Sequence, residues 1–410
     1  MTIAATLASC TALPVMDRAA TYSNPVLDSD FADPTVVRAP DGFHYAYATQ
    51  TQRDGKWVNI QIARSRDLVV WEHLGDALPI RPAWASKTQD FWAPHVSRHG
   101  DVYHLYYSAK PNAALTDTNR GLCLAVASSR SPAGPFTDIG RPLLCGDSFV
   151  NIDPMEYEDP ATGKHLLYWG SGFQPIKVQE LAANLTSFAP GTRPVDLVPA
   201  VKSDDPAEYQ RLVEGAWVVR RGGYYYLFFS GDNCCGPRAH YAVLIARSRS
   251  ATGPFELAPD KVMLELGGKW LGPGHNSLVT DDSGRDWLVY HAVDVGRPRA
   301  KPTDDVNTRR IMLIDPIQWV DGWPRIAGKV PSTGPRPAPV FKPGGARRRA
   351  HAGCRSAGSQ RPSAAARYQP DFAARRSIRR NGDRYRDIRR ALRVAARPRR
   401  PAILRRRSAM

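Results

Sequence analysis

The chain lacks most of the short signatures by which a sequence declares its chemistry. No apolar run approaches the roughly 20 residues a membrane-spanning helix needs. There is no glycine-rich phosphate loop, no dinucleotide fingerprint and no Ser or Cys nucleophile motif. Cysteine is sparse: Cys10, Cys123, Cys145, Cys234, Cys235 and Cys354 are the six in 410 residues, and their spacing fits no zinc pattern. Cys123 and Cys145 either pair across neighbouring strands of an exported protein or remain two buried thiols. The main body also lacks an excess of charge, despite a formal net charge of +17. From Phe341 onward lie 22 of the 56 Lys+Arg and 3 of the 39 Asp+Glu, leaving 34 basic and 36 acidic residues in 1–340. The basic balance therefore belongs to the tail and does not mark the body as a nucleic-acid binder.

What is present is a repeat. Five segments align: "DPTVVRAPDGFHYAYAT" from Asp33, "APHVSRHGDVYHLYYSA" from Ala93, "DPMEYEDPATGKHLLYWGS" from Asp153, "EGAWVVRRGGYYYLFFSG" from Glu214 and "HNSLVTDDSGRDWLVYHA" from His275. Their first residues are 60, 60, 61 and 61 positions apart. Each reads as an apolar strand, a turn containing Gly, and a second strand rich in Tyr, Leu and Trp. Gly suits the tight hairpin because it reaches positive φ without a Cβ clash. A third strand recurs as "IARSRD", "VASSRSPAGPF" and "IARSRSATGPF", and no long helical periodicity competes. The expected fold class is all-β. Five similar antiparallel units predict radial repetition, a five-bladed β-propeller, over a solenoid, which would show capping repeats.

In a propeller the inner strand of each blade lines the axis, so equivalent positions converge. Here they are Asp33, Ala93 (preceded by Trp92), Asp153, Glu214 and His275. Any one acid alone reads as a solvated strand end. Three acids at one register raise one another's pKa at a cost in stability, which argues for function. Two or three carboxylates among aromatic residues suit glycosidic bond cleavage: one acid protonates the leaving oxygen, another activates water or attacks the sugar carbon. Trp92 and Phe91 offer faces for the C–H side of a sugar ring.

At these residues the sequence resembles glycoside hydrolase family 43. The motifs that carry the resemblance are "NPVLDSDFADP", "QDFWAPHV", "NIDP", "VEGAW", "GPGHNS" and "IDPIQWVDGWP", in this order, from Asn24 to Pro324. The resemblance implies a five-bladed propeller and an inverting glycosidase acting on arabinan or arabinoxylan, with β-xylosidase as the alternative activity. It makes Asp33 the general base, Glu214 the general acid and Asp153 the carboxylate that tunes and orients the acid. No cofactor is required for that chemistry. His275 matches a histidine that helps hold a hydrated metal ion, often calcium, on the axis. Arg310 matches an arginine that approaches the substrate sugar, its alternative being a surface charge beside Arg309. His291 either faces the pocket or is a hydrogen-bonded core histidine. Trp169, Trp217 and Trp287 read as blade packing. Vicinal Cys234 and Cys235 form a wall of the cleft or are ordinary loop thiols. A non-catalytic sugar-binding propeller is the reading from another class, which the three intact acids oppose.

The expected organisation is a leader at 1–22, a catalytic propeller at 23–330, and a Pro/Gly linker with an Arg-rich disordered tail at 331–410. The leader reads as the remnant of an export signal, as a lipoprotein box "LASC" ending at Cys10, or as a plain disordered segment. A secreted or cell-envelope monomer without a membrane span or nucleic-acid partner is expected, with "GWP" at Gly322 closing the last blade.

Overall fold

The protein, described as a computed structural model, is defined over residues 20–342. The leader up to residue 19 and the Arg-rich tail from residue 343, with the expectations placed on them, lie outside the described residues.

Five antiparallel sheets follow one another along the chain. Blade 1 comprises Thr35–Arg38, His44–Ala48, Gln61–Ser65 and Trp71–Asp76. Blade 2 comprises Trp92–His99, Val102–Ala109, Cys123–Ser129 and the short Thr137–Asp138, with Leu144–Cys145 also paired to its third strand. Blade 3 comprises Met155–Glu158, His165–Trp169, Ile176–Glu180 and Val195–Val198. Blade 4 comprises Val213–Arg221, Tyr224–Asn233, His240–Ser248 and Glu256–Leu264. Blade 5 has three strands, Trp270–Thr280, Asp286–Asp294 and Arg310–Pro316. The first two strands of every blade are the repeated hairpin, and the architecture is the expected five-bladed propeller. No α-helix interrupts the described residues.

A sheet buries one face only against another layer. Here each blade packs on its neighbours, so the core divides into apolar clusters between blades. Tyr45, Tyr47, Phe91, Tyr107 and Phe136 join blades 1 and 2. Tyr106, Leu124, Leu167 and Trp169 join blades 2 and 3. Met155, Tyr168, Val218 and Phe229 join blades 3 and 4, and Tyr226, Phe228, Leu288 and Leu313 join blades 4 and 5. Val36, Ala46, Trp287 and Val289 join blade 5 to blade 1. Trp169 and Trp287 are fully buried there, and Trp217 packs between clusters, as blade packing requires. The burial of each large apolar side chain contributes about 1.5–3 kcal/mol.

Ring closure differs from expectation. "GWP" does not complete blade 5: Gln318–Val320 and Trp323–Arg325 form a separate hairpin beside blade 4, where Tyr226 Oη donates to the Gly322 carbonyl at 2.5 Å. The open edge of blade 5 is covered instead by the chain start. Val26 and Phe31 N–H donate to Met312 and Arg310 carbonyls at 3.0 and 2.7 Å, and Leu27 bridges Met312. Asn24 extends this pairing with its side-chain amide, donating to the Ile314 carbonyl at 2.9 Å and accepting from Ile314 N–H at 3.0 Å. The segment read as linker is also docked as far as it is described. Arg336–Pro337 pairs with Thr21–Tyr22, and Phe341 is buried against His44 with ring centroids 4.2 Å apart.

Candidate active site

Just before or within each inner strand stands an equivalent residue in the left-handed region: Asp33 (φ 57°), Ala93 (42°), Asp153 (59°), Gly215 (61°) and His275 (46°). These five are the equivalent positions, and they correct the sequence alignment by one residue. The fourth occupant is Gly215. Glu214 stands one place earlier, level with Ala32, Trp92, Ile152 and Gly274. Strand pairing says the same: Glu214 lies opposite Ser230, Trp92 opposite Ser108 and Gly274 opposite His291. The three acids therefore come from two adjacent registers, and the alternation of a strand sends neighbours in different directions.

The turned backbone at these positions is held from the neighbouring blade. Asp33 N–H donates to His291 Nδ1 at 3.1 Å, Ala93 N–H to Thr49 Oγ1 at 2.9 Å, Gly215 N–H to Asp153 Oδ2 at 3.1 Å, and His275 N–H to Ser230 Oγ at 2.7 Å. Thr49, Ser230 and His291 lie at or near the ends of the second strands of their blades. The same residues that set the axial backbone thus tie blade to blade.

The structure brings Asp33, Asp153, Glu214, His275, His291 and Arg310 together. His275 Nδ1 stands 3.5 Å from Asp33 Oδ1 and 3.6 Å from Asp153 Oδ2. Arg310 Nη1 donates to Asp33 Oδ1 at 2.8 Å, and Thr49 Oγ1 donates to Asp33 Oδ2 at 2.5 Å. Glu214 accepts from Tyr241 Oη at 2.8 Å and from Ser171 Oγ. All three carboxylates are less than a tenth exposed.

Their electrostatics diverge. Burial alone would raise Asp33, but the Arg310 guanidinium, followed by His275, outweighs it and holds the carboxyl well below its usual range. Burial pushes Glu214 up to about 6 against the Ser171 and Tyr241 donors, with the Asp33 charge adding to the rise. Burial, then the charges of Glu214 and Asp33, push Asp153 well up. Burial lowers His275, and it lowers His291 to about 4, so both rings are neutral at neutral pH. His291 Nδ1 also stands 3.2 Å from Asp33 Oδ1, so this ring meets both the backbone and the carboxylate of Asp33. One ionised carboxylate beside two with raised proton affinity is an acid–base arrangement.

Two residues expected to touch substrate do not fit that role. Phe91 is fully buried and stacks on Tyr107 at 5.9 Å, so it offers no face to a ligand. His291 is fully buried and holds Asp33. Trp92 stays partly exposed. Arg310 is mostly buried on Asp33, so it is not a surface charge. Cys234 and Cys235 are joined as a disulfide in the loop after Tyr224–Asn233. Cys123 and Cys145 are also bonded, as facing residues of paired strands.

Thr49, Ser171, Ser230 and Tyr241 were missed by the sequence reading. A signal for them existed: a small hydroxyl or His recurs at or near the end of the second strand in all five repeats, as Thr49, Ser108, Ser171, Ser230 and His291. Around His275 the protein atoms alone do not complete a calcium shell. Calcium takes 6–8 oxygens, whereas Asp33 is already engaged by Arg310 and Thr49, and Asp153 Oδ2 by Gly215 N–H.

Comparison with known proteins agrees with this geometry. The family model "Glycosyl hydrolases family 43" matches residues 22–324. The chain is 27% identical over 330 residues to the extracellular exo-alpha-(1->5)-L-arabinofuranosidase ArbA of Cellvibrio japonicus, covering 73% of this chain and 87% of that protein. It is 30% identical over 301 residues to a probable arabinan endo-1,5-alpha-L-arabinosidase A of Aspergillus clavatus, covering 67% and 86%. Among solved structures, a thermostable family-43 glycoside hydrolase superimposes with TM-score 0.64 at 26% identity, covering 78% of this chain and all of that one. The Cellvibrio cellulosa alpha-L-arabinanase complexed with arabinohexaose gives 0.59 at 25% identity, covering 72% and 95%.

Proposed function

The chain belongs to glycosyl hydrolases family 43, and from that premise we propose that it hydrolyses α-L-arabinofuranosyl linkages of arabinan or arabinoxylan with inversion at the anomeric carbon. The observation that carries the proposal is the split among the buried acids. Asp33, paired with Arg310 at 2.8 Å, stays ionised, while Glu214 is pushed up to about 6. As general base, Asp33 removes a proton from water as its oxygen attacks the anomeric carbon. Glu214 gives its proton to the departing sugar oxygen, so the net reaction consumes one water. Asp153 orients the acid through the Gly215 N–H, while burial and the Asp33 charge keep the proton affinity of Glu214 high. Arg310 and His291 act as positioning residues on Asp33, and Trp92 is the aromatic surface left for the sugar.

The arabinan-acting relatives support a polysaccharide substrate. This chemistry draws on carboxylates, and no step is routed through an ion. A hydrated calcium would use His275 as its one nitrogen contact, through water. Extracellular relatives and two disulfides support a secreted or cell-envelope location. No helix of the described residues is long and apolar enough to cross a membrane. A monomer suffices for this activity, since one chain supplies the whole acid set.

The test assays aryl α-L-arabinofuranoside, aryl β-D-xyloside and linear arabinan side by side, with wild type and folded Glu214→Ala and Asp33→Ala variants. Preference for the arabinofuranoside and losses of at least 10²-fold in both variants are expected. Near wild-type turnover in either variant sinks the acid assignment, and preference for the xyloside overturns the substrate.

A further inference from the structure

The inner strands run away from the acids, and their far ends surround a second cavity of about 490 Å³ at the other end of the axis. Trp92–His99 carries His99 six residues beyond Ala93, roughly 20 Å at the rise of a strand. Four of the chain's ten histidines gather at this end of blades 2 and 3: His95, His99, His104 and His165. The proposed hydrolysis uses none of them.

Glu156 organises the group. It is buried at the centre, and its two oxygens take His99 Nε2 at 3.1 Å and His165 Nδ1 at 2.9 Å. A carboxylate that accepts from one nitrogen of each ring fixes both tautomers and leaves the other nitrogen with its lone pair free. This is the arrangement by which metal-ligating histidines are oriented. The free nitrogen of His99, Nδ1, stands 3.6 Å from Glu158 Oε2, beyond hydrogen-bond reach. A cation can sit between these two groups in the place that a proton on His99 would take. Donor atoms from His99, His165 and Glu158 all lie within 4.8 Å of one another. Glu158 lies opposite His165 in strand pairing, so the hairpin of blade 3 presents two donors on one side and His99 supplies the third from blade 2.

We propose that His99, His165 and Glu158, oriented by Glu156, bind one first-row divalent transition ion of the Zn²⁺ class at the end of the axis opposite the acids. Two imidazoles and one carboxylate suit Zn²⁺, with a water from the adjoining cavity as fourth ligand, and do not suit Ca²⁺ or Mg²⁺, which favour all-oxygen shells. The ion cross-links two neighbouring blades at the hairpin ends. Any proton on His99 leaves to solvent as the ion binds.

The full chain, stripped with a chelator, is titrated with Co²⁺ followed by visible absorption, and with Zn²⁺ by calorimetry. One equivalent bound with tetrahedral Co²⁺ bands is expected, displaced by Zn²⁺ and not by excess Ca²⁺. His99→Ala/His165→Ala should abolish binding, Glu156→Gln should weaken it about 10–100-fold, and His275→Ala should leave it intact. Glu158→Gln, a change at an exposed side chain that does not threaten folding, should also weaken binding. Absence of binding by wild type, unchanged binding in Glu158→Gln, displacement by Ca²⁺, or loss in His275→Ala instead would each overturn the site. Arabinofuranoside turnover is recorded in parallel, so that failure of the acid assignment is seen separately.

Discussion

Gly215 N–H donates to Asp153 Oδ2 at 3.1 Å, so the carboxylate of blade 3 holds the peptide next to the acid of blade 4. The bond exists because Gly215 turns its backbone to φ 61°. A Cβ at this position would stand 3.2 Å from His275 Nδ1, against a ring held between Asp33 and Asp153. Gly215→Ala thus meets two costs: about 1–2 kcal/mol for the left-handed backbone, and displacement of His275 or of the strand. A displacement of even 1 Å in a catalytic set lowers turnover about 10²-fold. Thermal unfolding should show a modestly lower midpoint and kinetics a far larger fall in kcat. Equal losses in both would mean the glycine serves only stability.

Arg310 controls the acidic limb of the pH profile. It holds Asp33 well below the usual carboxylate range, so in wild type the base stays ionised through the range where ordinary carboxylates take up protons. The alkaline limb follows Glu214, which must carry its proton and loses it near pH 6. With Arg310→Met, the guanidinium charge is gone, burial is opposed only by the Thr49 hydroxyl and the two imidazoles, and the folded pKa of Asp33 rises. The acidic limb of kcat/KM should then move up by about 1–3 units while the alkaline limb shifts much less. An unmoved acidic limb would assign it to another group.

The propeller was legible because its signal repeats five times. Period-two patterning, hairpin glycines and intervals near 60 reinforce one another, whereas a single strand pair would have been ambiguous. The acids were legible for the same reason, but the register was off by one. Sequence spacing treats Glu214 as the partner of Asp153, while the backbone places Gly215 there. Insertions in loops change intervals by single residues, and only the turned φ or the strand pairing reveals where the count slipped. Phe91 illustrates a second limit. Its place beside Trp92 suggested a sugar platform, yet its ring lies in the core between blades 1 and 2 while Trp92 stays partly exposed. Closure by Asn24–Phe31 was not legible at all, since its contacts are with residues almost 300 positions away.

Cys123 and Cys145 face each other across paired strands of blade 2 and are bonded, closing a loop between residues 22 apart. Chain-entropy arguments give about 3 kcal/mol of stabilisation for a loop of this length. Cys123→Ser/Cys145→Ser should therefore lower the denaturation midpoint of purified protein while leaving kcat unchanged, because neither residue reaches the acids. Denaturant titration, with and without reductant, checks this. A wild type that reductant does not destabilise would remove the bond's structural role.

Tyr241 and Gly274 together set the proton affinity of Glu214. Tyr241 Oη donates to Glu214 Oε1 at 2.8 Å, which favours the carboxylate and opposes the rise caused by burial. Its ring lies flat against the strand of blade 5, where a Cβ on Gly274 would fall 2.2 Å from the ring carbon Cδ1. The second glycine of "GPGHNS" is thus explained by the tyrosine that needs its space. Tyr241→Phe keeps the ring and removes the donor, so the pKa of Glu214 rises further and the alkaline limb moves to higher pH. Gly274→Ala pushes the same ring off the carboxylate and should move that limb in the same direction, with an added loss of stability from overpacking of about 1–3 kcal/mol. Profiles of kcat/KM for the two variants, set beside their unfolding midpoints, separate the shared electrostatic effect from the steric one. A downward shift of the alkaline limb in Tyr241→Phe would show that the hydroxyl does not donate to the acid.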